Sequence, residues 1–91
     1  MTSAITHDKA GHKFTTTVDG HDGHVDYESG DGRIVITHTV VPAAIGGRGI
    51  ARELVKATLD FARSEGLKVV PKCSYAADYL QKNPEYASLA I

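Results

Sequence analysis

At 91 residues the chain has room for one small domain, which buries only about 60–65% of its unfolded surface and so keeps a thin stability margin. Its 42% hydrophobic and 23% charged residues match an ordinary soluble globular domain, and ten basic against eleven acidic residues give a formal charge of -1, which removes any global electrostatic case for nucleic acid or an anionic membrane. The single cysteine, Cys73, excludes an internal disulfide, the polar first twenty residues lack the apolar core of a secretory signal, and no apolar run approaches the roughly 20 residues that span a bilayer; a reducing cytoplasm is the expected compartment.

Residues 1–11 are polar and without period, and read as a flexible N-terminus or an edge contact that precedes a domain over residues 12–91. From His12 to Val18 the β-branched and aromatic residues predict a strand with Phe14, Thr16 and Val18 on one face. Asp19-Gly20 and Asp22-Gly23 carry turn chemistry, His24 to Ser29 alternates as a half-buried strand, and Asp31-Gly32 is a hairpin signal. Arg33 to Val41 is the most apolar strand and belongs inside the sheet. Pro42 ends it, because proline has no N–H to donate.

From Gly49 to about Ser64 the spacing of Ile50, Leu54, Val55, Leu59 and Ala62 is helical, with Gly66 as its stop. Leu67 to Val70 reads as a short strand, parallel to Arg33–Val41 if the helix is a crossover between them. Ser74 is positioned to cap a second helix over Tyr75–Lys82, which Asn83-Pro84 ends. The expected fold is α+β: a mixed, mainly antiparallel sheet with a β-α-β crossover and a C-terminal helix. Ligands of such sheets lie beyond the carboxyl ends of neighbouring parallel strands, which places the Pro42 and Pro71 ends, and hence Cys73, beside one another.

The segment from Ile45 to Ala51 carries three glycines, Gly46, Gly47 and Gly49, between a strand and a helix. Glycines let backbone approach a ligand without a Cβ, and the N–H groups of a new helix have no carbonyl partners. The helix dipole and Arg48 add positive charge, so a phosphate or pyrophosphate is the natural occupant, the alternative being a tight turn that binds nothing. Cys73 precedes a helix N-terminus and follows Lys72, both of which favour the nucleophilic thiolate; otherwise it is a small buried hydrophobe. Tyr75 and Tyr79 can serve as general acids or simply pack on the sheet, and His38, near the glycine turn, can relay a proton or bond a neighbouring strand. The run Asp19-Gly20-His21-Asp22-Gly23-His24-Val25-Asp26 has metal-ligand residue types, but its glycine turns define no coordination geometry and favour a solvated loop; no metal is expected.

Thr37-His38-Thr39-Val40-Val41-Pro42 followed by Gly46-Gly47-Arg48-Gly49-Ile50-Ala51-Arg52-Glu53-Leu54-Val55 resembles the acyl-coenzyme A signature of GNAT-type N-acetyltransferases. The segment Gly66 to Leu80, with Lys72-Cys73-Ser74-Tyr75 at its centre and Asn83-Pro84-Glu85-Tyr86 after it, is similar to the short single-domain branch of that superfamily. The resemblance covers about residues 12–90. It implies acetyl-coenzyme A as cosubstrate, with its pyrophosphate on the amides of Ile45, Gly46, Gly47, Arg48, Gly49, Ile50 and Ala51. Its pantetheine arm would then pair with His38, Thr39, Val40 and Val41, and Cys73 would lie near the thioester as an acetyl acceptor.

One departure stands out. The superfamily turn opens with Gln or Arg three residues before its first motif glycine, where this chain has Ala44. No further strands follow the second helix, so the amine-binding half of the site is expected to be missing, supplied by a partner, or very open. The function implied is transfer of acetyl to a primary amine of a small molecule or peptide, directly or through Cys73, by a monomer or homodimer. The alternatives are a coenzyme A binding or sensing module without turnover, and a purely structural interaction domain.

Overall fold

A computed structural model describes residues 4–90. Thr6–Asp8 (β1), Lys13–Val18 (β2), His21–Gly30 (β3) and Arg33–Val40 (β4) pair antiparallel in chain order, and Lys68–Pro71 (β5) adds parallel to β4. Between β4 and β5 run a short 3-10 turn, Ala43–Ile45, and the helix Ile50–Ser64 (α1). After β5 come the helix Ser74–Lys82 (α2) and a 3-10 segment, Pro84–Leu89. The α+β fold expected from the sequence is the fold observed.

Alternation along the strands builds a sheet with two unlike faces. Phe14, Val25, Tyr27, Ile34, Ile36 and Val69 are buried beneath α1, which turns Leu54, Val55 and Leu59 to them with no side-chain exposure. The opposite face carries Lys13, Thr15, His24, Asp26 and His38, none of them buried. Full burial of each large aliphatic side chain contributes roughly 1.5–3 kcal/mol, so this single layer of contacts carries most of the apolar stabilisation.

Three expectations need correction. Thr6–Asp8 lies in an ordered edge strand, whereas residues 1–3 fall outside the described residues. The strand is polar because its anchor is tertiary: the His7 ring stacks on Phe14 at 4.0 Å and its Nε2 lies 2.6 Å from the Tyr27 hydroxyl. Four strands are therefore antiparallel rather than three. Asp22-Gly23 is no turn but the start of β3, with Gly23 buried. A Cβ on Gly23 would stand 3.4 Å from both Leu54 Cδ1 and the Val40 carbonyl, so this glycine serves the close approach of α1 to the sheet. Finally, Ser74 is the first helical residue of α2 and Cys73 occupies the cap position that the sequence assigned to Ser74.

One irregularity positions the site. The β3–β4 register shifts at Thr37, Tyr27 pairing with Ile36 and Asp26 with His38, so Thr37 is a bulge. The β4–β5 ladder ends at Ile36 and Pro71. Beyond it the carbonyl of Ile36 accepts both the Lys72 and Cys73 N–H groups at 3.0 Å, and the chain turns away into α2. β4 continues to Val40 paired only with β3, its other edge having no partner strand among the described residues.

Candidate active site

The site forms where β4 outruns β5. A cleft of about 270 Å³ opens there, bounded by Val41, by Ile45, Gly46, Gly47 and Gly49 of the glycine turn, by the start of α1, and by Tyr75 of α2. Gly49 caps α1 at φ 75° and Gly47 has φ 76°, left-handed backbone that glycine adopts without strain. This conformation leaves the N–H groups of Gly47, Arg48, Gly49, Ile50, Ala51 and Arg52 without a backbone acceptor among the described residues, since the first bond of the helix runs from Glu53 to Gly49. A run of free amides at a helix start is suited to an anionic diphosphate.

Arg48 sits otherwise than expected. Its guanidinium is paired with Asp19 in the β2–β3 turn, on the surface, and does not line the cleft. Asp19 draws the cation away, so Arg48 contributes its backbone N–H to the turn while the amides and helix dipole carry the positive potential.

Where β5 turns away into α2, Cys73 faces β4. Its thiol donates to the Thr39 hydroxyl at 3.4 Å. Burial opposes ionisation of this thiol, but the Thr39 hydroxyl and the backbone N–H groups of Ala76, Tyr75 and Thr39 favour the charged form and prevail, so the Cys73 pKa is lowered. Tyr75 and Ala76 are the second and third residues of α2, the places whose amides a capping acceptor serves. The sulfur closes no cap hydrogen bond to these amides, so they act on its charge across space at the start of α2.

The remaining residues named from the sequence fall in different places. Tyr75 is 40% exposed and stands between the cleft and a neighbouring hollow of about 280 Å³ lined also by Arg52, Asp78, Tyr79, Lys82 and Asn83. Tyr79 belongs to that hollow alone, packs against Tyr86 at 6.1 Å, and has its pKa raised chiefly by burial. It is not brought to Cys73. His38 is exposed on the open face of the sheet opposite Asp26, away from the lining of the cleft; the Thr37 bulge shifts the alternation that would otherwise turn it inward. Among the described residues no three His, Cys, Asp or Glu side chains gather to hold a metal ion. Sequence reading missed Thr39 as a partner of the thiol, because the contact joins β4 to the start of α2 and leaves no local pattern.

Comparison with known proteins agrees with this geometry. Residues 13–89 match a family model described as GCN5-related N-acetyl-transferase. The chain is 45% identical over 83 residues to protein NATD1 of Gallus gallus, an alignment covering 88% of this chain and 76% of the relative. Against protein NATD1 of Homo sapiens it is again 45% identical over 83 residues, covering 88% and 74%. The solution NMR structure of a GCN5-like protein from Staphylococcus aureus superposes with a TM-score of 0.75 at 29% identity, covering 97% of this chain and 87% of the other. The split strands, the amide-lined turn and these matches together mean that the chain belongs to the GCN5-related N-acetyltransferase family, and so to the acyltransferases.

Proposed function

We propose that this protein transfers acetyl from acetyl-coenzyme A to a primary amine of a small molecule or peptide, and that the acetyl group passes through Cys73. The family generally uses acetyl-coenzyme A, and the residues present fit it. The free amides from Gly47 to Arg52 would hold the diphosphate, and the unpaired edge of β4 from Thr37 to Val40 would pair with the pantetheine amides as an added strand does. The thioester carbon would then lie near Cys73, with the Val41 N–H, which has no backbone acceptor among the described residues, as oxyanion donor.

The single observation that carries the reading is the thiolate environment of Cys73 against Thr39 of β4. In the first half-reaction the Cys73 thiolate attacks the thioester carbon, a new C–S bond forms, and coenzyme A leaves as its thiolate and takes up a proton. Tyr75, exposed at the cleft, is placed to give that proton. In the second, the amine attacks acetyl-Cys73, a C–N bond forms and the Cys73 thiolate is regenerated. A module that binds coenzyme A without turnover would need the amides but not this sulfur. Retention of a reactive thiol suits a reducing compartment such as the cytoplasm.

Intact mass after incubation with acetyl-coenzyme A tests this. The expected result is one acetyl group on the native protein and none on Cys73→Ala, with both stabilised by coenzyme A. Absence of the adduct, with an amine-transfer rate unchanged in Cys73→Ala, would overturn the cysteine route. Absence of stabilisation by coenzyme A would overturn the cosubstrate.

A further inference from the structure

We infer that the amine acceptor binds on the open face of the sheet and that His24, oriented by Asp26, takes the proton released when the amine is acylated. The inference rests on the acetyl-transfer reading above and adds the half of the site that the cleft lacks.

Three observations meet on that face. His24 Nδ1 and Asp26 Oδ1 lie 3.0 Å apart, two residues along β3 and on the same side of the strand. A carboxylate bonded to Nδ1 fixes the tautomer and leaves Nε2 as the acceptor, the arrangement by which His–Asp pairs act as general bases. Second, the register sets His24 opposite Val40 and Asp26 opposite His38, so the pair flanks the end of β4 on the open face, with β4 between it and the split. Val40 is 43% exposed and forms an apolar step between the imidazole and the split. Third, a hollow of about 310 Å³ is lined by Lys13, Thr15 and Thr17 of β2 and by Asp22, Gly23 and His24 of β3. Its lining is hydroxyl and charge, with Thr17 already donating to Asp22 at 2.6 Å.

These features define the acceptor's chemistry. The reacting amine would lie over Val40 within reach of His24. The rest of the molecule would extend across Thr15 and Thr17, with a second cationic or hydroxyl group directed to Asp22. A small polar primary amine fits this track. A long apolar chain does not. The titratable and charged groups around His24 are Lys13 on β2, Asp22 and Asp26 on β3, and His38 on β4. The chemistry balances without another reactant: the neutral amine nitrogen bonds to the acyl carbon, the C–S bond breaks, the nitrogen's extra proton passes to His24 Nε2 and then to water, and the sulfur leaves as the Cys73 thiolate. His24 is the catalytic residue and Asp26 a positioning residue.

The test uses the full chain with 1,4-diaminobutane as acceptor probe and 1,4-butanediol as a control without the amine. Coenzyme A should raise the melting temperature of native protein, His24→Gln and Asp26→Asn alike; failure in all three would remove the acetyl-transfer reading and this inference with it. With coenzyme A bound, 1,4-diaminobutane should shift the backbone amide signals of Lys13, Thr15, Thr17 and His24. Shifts elsewhere, or none, overturn the acceptor site while leaving the acetyl-transfer reading intact. In turnover, kcat should rise with pH along a limb that His24→Gln abolishes, with a loss of at least about 10²-fold. Asp26→Asn should lower kcat while leaving the amine KM unchanged, because an amide no longer fixes the tautomer. Binding without transfer, or an unchanged profile in His24→Gln, overturns the proton-acceptor role.

Discussion

Cys73 shows how little a residue's identity says without its neighbours. Next to a helix start any cysteine gains some thiolate character, but here the hydroxyl of Thr39, 34 positions away in sequence, joins the backbone amides in outweighing burial. Because the folded pKa is lowered, the ionised thiol contributes stability above the ordinary thiol pKa, and that contribution is lost as pH falls through the lowered value. Alkylation of Cys73 should therefore set in at lower pH than for a free thiol. Thr39→Val should slow iodoacetamide labelling at neutral pH by up to about tenfold while the unfolded chain labels normally. Equal labelling rates would show that the α2 amides suffice alone. Arg48 teaches the converse. Its charge was legible beside the glycines, but its partner Asp19 lies in another turn, so Arg48→Ala should cost well under about 1 kcal/mol and weaken coenzyme A by less than about tenfold, read by calorimetry.

Among the elements, those with a local period were legible and those held by tertiary contact were not. The stripe of α1 and the run of β4 announce themselves because each buries a continuous face. β1 has no such face; His7 joins the core by stacking on Phe14 and against the edge of Phe61, which no pattern in Thr6–Asp8 encodes. Gly23 misled in the opposite sense, since Asp-Gly signals a turn and a tight helix–sheet approach alike, and only the depth of Leu54 separates the two. The Pro84–Leu89 segment meets α1 at Tyr86: its hydroxyl donates to Asp60 at 2.6 Å, its ring lies 5.0 Å from the Arg63 guanidinium, and Asp60 also receives Lys56 and Arg63. Burial and then this bond push the Tyr86 pKa up to about 12. A raised pKa means stability that is whole below the unfolded phenol value near 10 and lost as pH climbs through the folded one. Tyr86→Phe should cost about 1–2 kcal/mol near pH 7, and its melting temperature should decline less steeply than native between about pH 10 and pH 12. Parallel curves would mean that another group controls alkaline unfolding.

At the scale of the molecule, the sheet is covered on one face and open on the other, and the cleft lies at their common border. A domain of 91 residues has a net stability of roughly 5–10 kcal/mol, so a ligand that binds only the folded state changes it visibly. The turn from Gly47 to Arg52 presents amides that have no backbone acceptor among the described residues. At a hundredfold excess over its dissociation constant, coenzyme A should add about 2.7 kcal/mol. For a chain of this size each kcal/mol is worth about 4–8 °C, so the melting temperature should rise by roughly 10–20 °C. Dephosphorylated pantetheine, which lacks the diphosphate but keeps the arm, should produce a much smaller rise at equal concentration. Equal shifts for the two ligands would mean that the β4 edge, and not the glycine turn, supplies the affinity.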